Sequence, residues 1–156
     1  MGLDMYLYAK TYTSNNDYYQ KNPEVFDEIL ETLELTPDQL DSEMLNMTIS
    51  IPVIYWRKQN AIHDWFVRNA QGGEDNCKEY WVSREQLQEL ADTCLKVLED
   101  NNLAHELLPT TDGFFFGSTQ YDDWYFDGLK KAQSRITNYL RSPQFNNYDF
   151  YYQSSW

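Results

Sequence analysis

The chain of 156 residues carries 25 Asp or Glu side chains against 12 Lys or Arg, a formal net charge of −13 at pH 7. This balance argues against direct binding to nucleic acid or to an anionic membrane surface, because both need Lys and Arg side chains at phosphate groups. No apolar stretch approaches the roughly 20 residues of a membrane-spanning helix, and the start lacks the charged and apolar regions of a signal peptide. We therefore expect a single-domain cytoplasmic protein that keeps its two cysteines reduced.

The N-terminal part predicts a strand and then a helical hairpin. Apolar and other residues alternate over residues 2–9, which is typical of a half-buried strand. After a polar loop, Asn22-Pro23 and Thr36-Pro37 each mark a helix start, with Pro at the first helical position and Asn22 as a cap. Each helix has an apolar stripe: Phe26, Ile29, Leu30 and Leu33 in the first, Leu40, Met44 and Leu45 in the second. Together they form a hairpin over residues 22–46.

This hairpin is acidic, and no basic residue lies between Lys21 and Arg57. A run of acids is usually a solvated helix face. Here the acids exceed what solubility requires, and they would attract a basic protein surface. We predict a partner-binding set of Glu24, Asp27, Glu28, Glu31, Asp38 and Asp41.

The middle of the chain predicts a strand followed by a helix. Residues 47–56 are rich in β-branched side chains, and Pro52 among them suggests an edge strand or a bulge. A helix follows Arg57 and ends before Gly72-Gly73, a strong breaker.

A second strand and helix come next. Residues 80–82 predict a short strand. Ser83 and Gln86 then form a capping box, which opens a helix. Its buried stripe comprises Leu87, Leu90, Ala91, Cys94, Val97 and Leu98.

The last third predicts a strand, a helix and an aromatic tail. Three phenylalanines between glycines favour a short buried strand over residues 112–118. Asp122 suits the cap of a last helix that Pro143 ends. The tail, residues 143–156, would add an edge strand, wrap the surface or engage a second copy. These elements predict one α+β domain whose small, mostly antiparallel sheet is covered by four to five helices.

The densest chemistry lies in residues 55–66, where polar side chains alternate with aromatic ones. If this run becomes helical near Lys58, then Arg57, Asn60 and Asp64 share one face, with His63 at its edge. If neighbouring strands end here, that face meets the turn of residues 121–125 at one end of the sheet. The predicted ligand-binding set is Arg57, Asn60, His63, Asp64, Trp56, Tyr121, Asp122 and Trp124.

A structural role is the alternative for this site. Arg57 would then pair with Asp64 or another neighbouring acid, and His63 would be hydrogen-bonded at the edge of the core. Nucleophilic catalysis by Cys77 with His63 is a weaker alternative, since no third residue that would orient them is identified. No metal-ligand spacing occurs, so we predict no metal site, no cofactor and no catalytic residue.

Three segments resemble a family of small phage and prophage proteins. They are MGLDMYL at residues 1–7, YWRK with NAIH and WF across residues 55–66, and GFFFGS with YD and WY across residues 113–125. The resemblance implies a phage or prophage origin and a role in the cytoplasm of an infected bacterium, and it transfers no activity. The acidic hairpin lies outside the matching segments.

Three functional hypotheses follow, and the first leads. It is a phage accessory protein that engages a host defence or regulatory protein through an acidic, tyrosine-rich surface, with inhibition of that protein as one outcome. The second is a protein that binds a nucleotide-like anion, or acts on one, through Arg57, Asn60 and His63. The third is self-association through the aromatic tail. Binding is favoured over catalysis in all three.

Overall fold

The structure is a computed structural model that describes residues 2–16, 21–41 and 46–156. Four strands form one open antiparallel sheet in the order β2-β1-β4-β3. They are β1 (Asp4–Ser14), β2 (Asn46–Arg57), β3 (Tyr80–Val82) and β4 (Asp149–Ser155). The α-helices of the described residues are α1 (Pro23–Thr32), α2 (Asn60–Asn69), α3 (Arg84–Glu99), α4 (Ala104–Leu107) and α5 (Asp123–Arg141). The predicted α+β class with a small antiparallel sheet is confirmed.

The chain forms two compact units. The larger unit comprises Met1–Ala9 with Pro52–Trp156, and the smaller comprises Lys10–Ile51. The smaller unit contains α1, and the larger contains the other four helices. The single domain expected from the sequence stays a prediction.

The core of the larger unit follows from the alternation in β1. Leu3, Met5 and Leu7 are fully buried, whereas the side chains between them are half-buried. Helices α3 and α5 pack against each other, and their apolar stripes join the same core. The apolar stripe predicted for α3 is therefore confirmed.

The opposite face of β1 carries tyrosines. The rings of Tyr6 and Tyr8 stack at 5.8 Å, and the Tyr55 ring of β2 lies 5.3 Å from Tyr6. The Tyr55 hydroxyl donates a hydrogen bond to the Asp4 carboxylate, which raises the pKa of Tyr55. Part of the high tyrosine content thus lies on a solvent-facing sheet surface.

The C-terminal tail is an inner strand. Strand β4 lies between β1 and β3, and Phe150 and Tyr152 face Val82 and Tyr80 across the antiparallel pair. Alternate residues of β4 are fully buried, so its side chains complete the core. The expected edge position is wrong, because the strand pairs on both sides.

Several local predictions are confirmed. Pro52 lies in an edge strand. The Ser83 side chain accepts a hydrogen bond from the Gln86 backbone N–H at 3.0 Å, and the Asp122 side chain accepts one from the Tyr125 N–H at 3.0 Å. Capping residues are readable because their partners are three positions away.

Other local predictions are wrong. Residues 112–118 form turns and irregular backbone rather than a strand, and Phe114 is 96% exposed. Asn22 is left-handed (φ 50°) and makes no capping bond through its side chain. The second hairpin helix is a single 3₁₀ turn at Pro37–Gln39, while Met44 and Leu45 lie outside the described residues. Among those described, no helix is both long and apolar enough to cross a membrane.

Candidate functional site

The run of residues 55–66 changes from strand to helix at its centre. Strand β2 ends at Arg57 and α2 begins at Asn60. Between them Lys58 takes a left-handed conformation (φ 54°), and its N–H donates to the Leu3 carbonyl at 2.8 Å. Arg57 therefore lies on a strand while Asn60 and Asp64 lie on a helix. The predicted common face is wrong.

Asn60 is buried and holds a distant turn. Its Nδ2 donates to the carbonyl oxygens of Phe116 at 3.2 Å and Ser118 at 2.9 Å. Its Oδ1 accepts the Thr111 N–H at 3.0 Å. Both ends of the amide are thus used within the protein, and Asn60 fixes the turn that contains the three phenylalanines.

His63 is also buried, and both of its ring nitrogens contact other side chains of the protein. The imidazole is 1% exposed; its Nδ1 lies 2.8 Å from the Tyr152 hydroxyl and its Nε2 lies 3.0 Å from Asp75 Oδ2. A neutral ring protonated on Nε2 satisfies both contacts. Burial, and secondarily the charge of Asp75, hold the pKa of Tyr152 well above its ordinary value, so this hydroxyl keeps its proton. The geometry corresponds to the structural alternative for His63.

Asp64 and Arg57 do not pair with each other. Asp64 accepts from Arg68 Nε at 2.7 Å, one helical turn along α2. The Arg57 side chain is 54% exposed, and its Nε lies 4.0 Å from Asp4 Oδ1, beyond hydrogen-bonding distance. The Arg57–Asp64 pair considered from the sequence is therefore wrong, whereas the other arm of that alternative, a pair with a neighbouring acid, corresponds to the long ion pair with Asp4.

The three ligand-binding candidates at the start of α5 lie in different surroundings. Asp122 is the helix cap, and the Tyr121 ring meets the Tyr125 ring edge-on at 5.0 Å. Trp124 is 58% exposed, and its carbonyl accepts from Gln59 Nε2 at 2.8 Å. Of the two aromatic candidates, Trp124 leaves more of its side chain to solvent, since Tyr121 is 39% exposed.

A cavity of about 270 Å³ in the larger unit brings together Arg57, Trp56 and Trp124. The remaining five ligand-binding candidates do not line it. Asn60 and Asp122 meet instead in a narrow cleft of about 10 Å³, which has room for no more than a water molecule. The predicted site is thus divided, and three of its residues share a ligand-sized space.

The other wall of the cavity comes from residues that the sequence did not suggest. Helix α5 contributes Asp127, Gly128 and Lys131, and the β2–α2 junction contributes Tyr55 and Gln59. A Cβ at Gly128 would lie 2.0 Å from Gln59 Cδ, so the glycine lets that side chain pack against α5. The spacing of Trp124, Gly128 and Lys131 at i, i+4 and i+7 is the signal that would have found this wall.

The predicted partner-binding acids lie on the surface of the smaller unit. Glu24, Asp27, Glu28 and Glu31 are exposed on α1, and Asp38 and Asp41 are exposed beyond it. Asp41 also lines an apolar groove of about 300 Å³. The groove residues described are Phe26, Leu30, Leu33, Leu35, Leu40, Asp41, Asn46 and Met47.

Neither cysteine is placed for catalysis with His63. Cys94 is fully buried, and that burial raises the pKa of its thiol to about 12. Cys77 is half-buried, but the ring nitrogens of His63 are both occupied by Tyr152 and Asp75. Among the described residues, no three His, Cys, Asp or Glu side chains are grouped so that they could hold a metal ion.

The three segments of the phage-family resemblance meet in space. The Leu3 N–H donates to the Phe115 carbonyl at 2.9 Å, and the Leu3 carbonyl accepts from Lys58 at 2.8 Å. Asn60 bonds to Phe116 and Ser118, as described above. We compared the chain with protein-family models, with curated proteins and with solved structures. None of the three comparisons found a match.

Proposed function

We propose that the chain is a non-catalytic binding protein whose smaller unit engages a basic segment of another protein. One observation carries the proposal: α1 carries exposed carboxylates, and its apolar side chains Phe26, Leu30 and Leu33 line a groove in the same unit. Residues 10–51 include nine Asp or Glu and two Lys, a net charge of −7. Charge steers a cationic partner towards this unit, and the groove provides apolar contact.

The groove fits an amphipathic helix of the partner. Leu33 and Leu35 are 58% and 37% exposed, although both are apolar and line the groove. Asp41 lines the same groove, and the α1 acids are exposed in the same unit. Peptide helices that bind grooves insert apolar anchors at helical spacing. The matching segment therefore carries Leu, Ile or Phe anchors flanked by Lys or Arg.

The biological setting of the proposal rests on the resemblance to phage and prophage proteins. On that basis the partner is a defence or regulatory protein of the infected bacterium, and the chain acts as an accessory factor in the host cytoplasm. The tyrosines on the sheet face belong to the larger unit, so the acidic surface of α1 is the part that this proposal uses.

The test is affinity capture followed by quantitative binding. Tagged wild type is compared with a variant in which Glu24, Asp27, Glu28 and Glu31 are all changed to Lys. Each exposed ion pair contributes about 0.2–1 kcal/mol. Four reversals should therefore weaken binding of the purified partner by roughly tenfold or more in calorimetry, and added salt should weaken wild-type binding.

Two matched controls separate this surface from general charge. Reversing four exposed acids of α3 changes the net charge equally and should leave affinity unchanged: Glu85, Glu89, Asp92 and Glu99. Leu33→Ser should weaken binding, whereas Leu95→Ser, at a residue 40% exposed on α3, should not. Equal loss in the α3 and α1 variants would show that net charge, and not this surface, binds the partner.

A further inference from the structure

We infer that the cavity between β2 and α5 binds a small planar anion of the nucleoside monophosphate class. The inference is independent of the proposed protein partner, because the cavity lies in the larger unit and uses no residue of α1. Its wall combines two cationic side chains, an exposed indole and a buried indole N–H that has no partner among the described residues. Each of these features favours a different part of such a ligand.

The cationic side chains have hydrogen-bonding capacity left. Lys131 Nζ donates to the Tyr55 carbonyl at 2.7 Å, which leaves two of its three N–H groups. Arg57 has a five-donor guanidinium, and within the described residues its nearest acid, Asp4, is 4.0 Å away. Asp127, the one carboxylate in the wall, is ion-paired with Lys130 at 3.0 Å. Asp4 partly offsets the charge of Arg57, so Lys131 and the free donors of both side chains supply the positive charge of the cavity.

The net charge of −13 does not prevent an anion from binding in this cavity. Exposed charges farther apart than about 8 Å are largely screened at physiological ionic strength. The energy of a bound phosphate depends mainly on the cations that touch it, and charge-assisted hydrogen bonds to Arg and Lys are strong. Arg57 and Lys131 are those cations.

The aromatic part of the wall favours a planar ligand. Trp124 is 58% exposed and Tyr55 is 41% exposed, and both line the cavity. Exposed rings in a nucleotide site commonly serve as stacking surfaces for a base. Trp56 and Gly128 add apolar surface to the same lining. A base would thus contact the indole while the phosphate meets the cations.

Trp56 adds a second, independent indication. Its side chain is 2% exposed, and its Nε1 has no hydrogen-bond partner in the part of the chain that the structure describes. Buried donors are almost always satisfied by protein or water. Trp56 lines the cavity, but Nε1 itself is shielded from solvent, so a ligand acceptor or a bound water would reach this donor only after a shift of the wall.

The cavity volume sets the size of the ligand. At about 270 Å³ it lies near the lower end of the range for small-molecule sites, which begins at roughly 300 Å³. A single nucleotide fits this scale, whereas a dinucleotide cofactor does not.

The experiment titrates the full chain with the four ribonucleoside monophosphates by isothermal titration calorimetry. Inorganic phosphate and adenosine are titrated separately, so that the charge and the ring are each tested alone. We expect at least one nucleotide to bind with one-to-one stoichiometry. Inorganic phosphate and adenosine should each bind at least about tenfold more weakly than that nucleotide. In ¹H–¹⁵N spectra the Trp124 indole and Gly128 amide signals should shift on saturation.

Variants identify the residues that bind. Arg57→Gln, Lys131→Gln and Trp124→Ala should each raise the dissociation constant by roughly tenfold, a change of about 1.4 kcal/mol. Arg57→Lys and Lys131→Arg keep the charge and should bind more tightly than the Gln variants. The charge control is Arg135→Gln, one turn further along α5, and the indole control is Trp81→Ala, at a residue 55% exposed on β3; both should bind like wild type.

Several results would overturn the inference. They are the absence of saturable binding by any nucleotide, adenosine binding as tightly as its monophosphate, and variants that lose no affinity. Tighter binding of a single-stranded oligonucleotide would reassign the cavity to nucleic acid. Thermal unfolding of each variant shows whether it is folded, and the four-Lys variant of α1 should still bind nucleotide, so this inference and the proposed function fail separately.

Discussion

His63 uses both ring nitrogens within the core, on Tyr152 at 2.8 Å and on Asp75 at 3.0 Å. We expect His63→Ala to lower the free energy of unfolding by about 2–4 kcal/mol, because it opens a cavity and removes a partner from buried polar groups. Urea denaturation measures this loss. The neighbouring Asp64→Ala should cost about 0.5 kcal/mol, since it removes one i,i+4 ion pair. A stable His63→Ala protein would show that the imidazole is retained for something other than folding.

Cys94 makes stability depend on pH in the alkaline range. Burial raises the pKa of its thiol from 9.0 to about 12. The unfolded thiol loses its proton near pH 9 while the folded one keeps it, so the folded state is favoured fully below pH 9 and loses stability as pH rises towards 12. We expect a loss of about 1 kcal/mol between pH 9 and pH 10 from this group, because the unfolded thiol is only half deprotonated at pH 9.

The measurement compares urea midpoints at pH 7, 9 and 10 for wild type and Cys94→Ala. The variant should be less stable at pH 7, because the side chain is fully buried, but its stability should fall less between pH 9 and 10. Parallel curves would mean that the thiol does not cause the alkaline loss. Above pH 10 the buried hydroxyls of Tyr125 and Tyr152, whose pKa values are also raised by burial, add to the same trend.

The sequence indicated which individual side chains could form a site, but not which groups would contact them. Arg57 and Trp124 were recognisable because each lies beside polar and aromatic residues in the chain. Lys131 is 74 positions from Arg57, and Tyr152 is 89 positions from His63. Residue type predicts what a side chain can bind, whereas the fold decides which groups are near enough to occupy it.

Among the elements, the packing of α5 against the β2–α2 junction depends on Gly128. Alanine is favoured over glycine in a helix by roughly 1 kcal/mol. Here a Cβ would lie 2.0 Å from Gln59 Cδ, and Gln59 would have to leave its bond to the Trp124 carbonyl. We expect Gly128→Ala to destabilise the protein by about 1–3 kcal/mol, the usual cost of overpacking.

A double-mutant cycle with Gln59→Ala tests that mechanism. Removing the Gln59 side chain also removes the clash, so the added cost of Gly128→Ala should nearly vanish in the double variant. Ser134→Ala, on an exposed part of α5, should change stability by no more than about 0.5 kcal/mol. Strict additivity of the two changes would contradict the contact.

Element prediction succeeded where the signal is local. The capping residues Ser83 and Asp122 lie three positions from the N–H groups they accept. The three phenylalanines failed because an apolar run between glycines looks the same whether it enters a sheet or a turn. Asn60, more than 50 positions earlier, supplies the hydrogen bonds that a neighbouring strand would have supplied.

For the whole molecule, the order of the sheet is the feature that sequence patterns could not supply. An edge strand was one of three roles expected for the tail, residues 143–156, and the sequence did not say which strands would lie beside it. Strand β4 joins β1, from the other end of the chain, to β3. The last residues are therefore needed to close the core that the first residues begin.

Removal of residues 149–156 should thus abolish cooperative unfolding of the larger unit. The deletion leaves β1 and β3 without the strand between them and removes the fully buried rings of Phe150 and Tyr152. Point variants give a milder form of the test: Phe150→Ala should cost about 3–5 kcal/mol, and Tyr151→Ala, at a half-buried position of the same strand, distinctly less. Circular dichroism and urea denaturation measure both. If the truncated chain unfolds cooperatively at the wild-type midpoint, the tail is dispensable for folding, and self-association becomes its expected role. If the truncated chain does not fold, the role of the tail lies within the monomer fold.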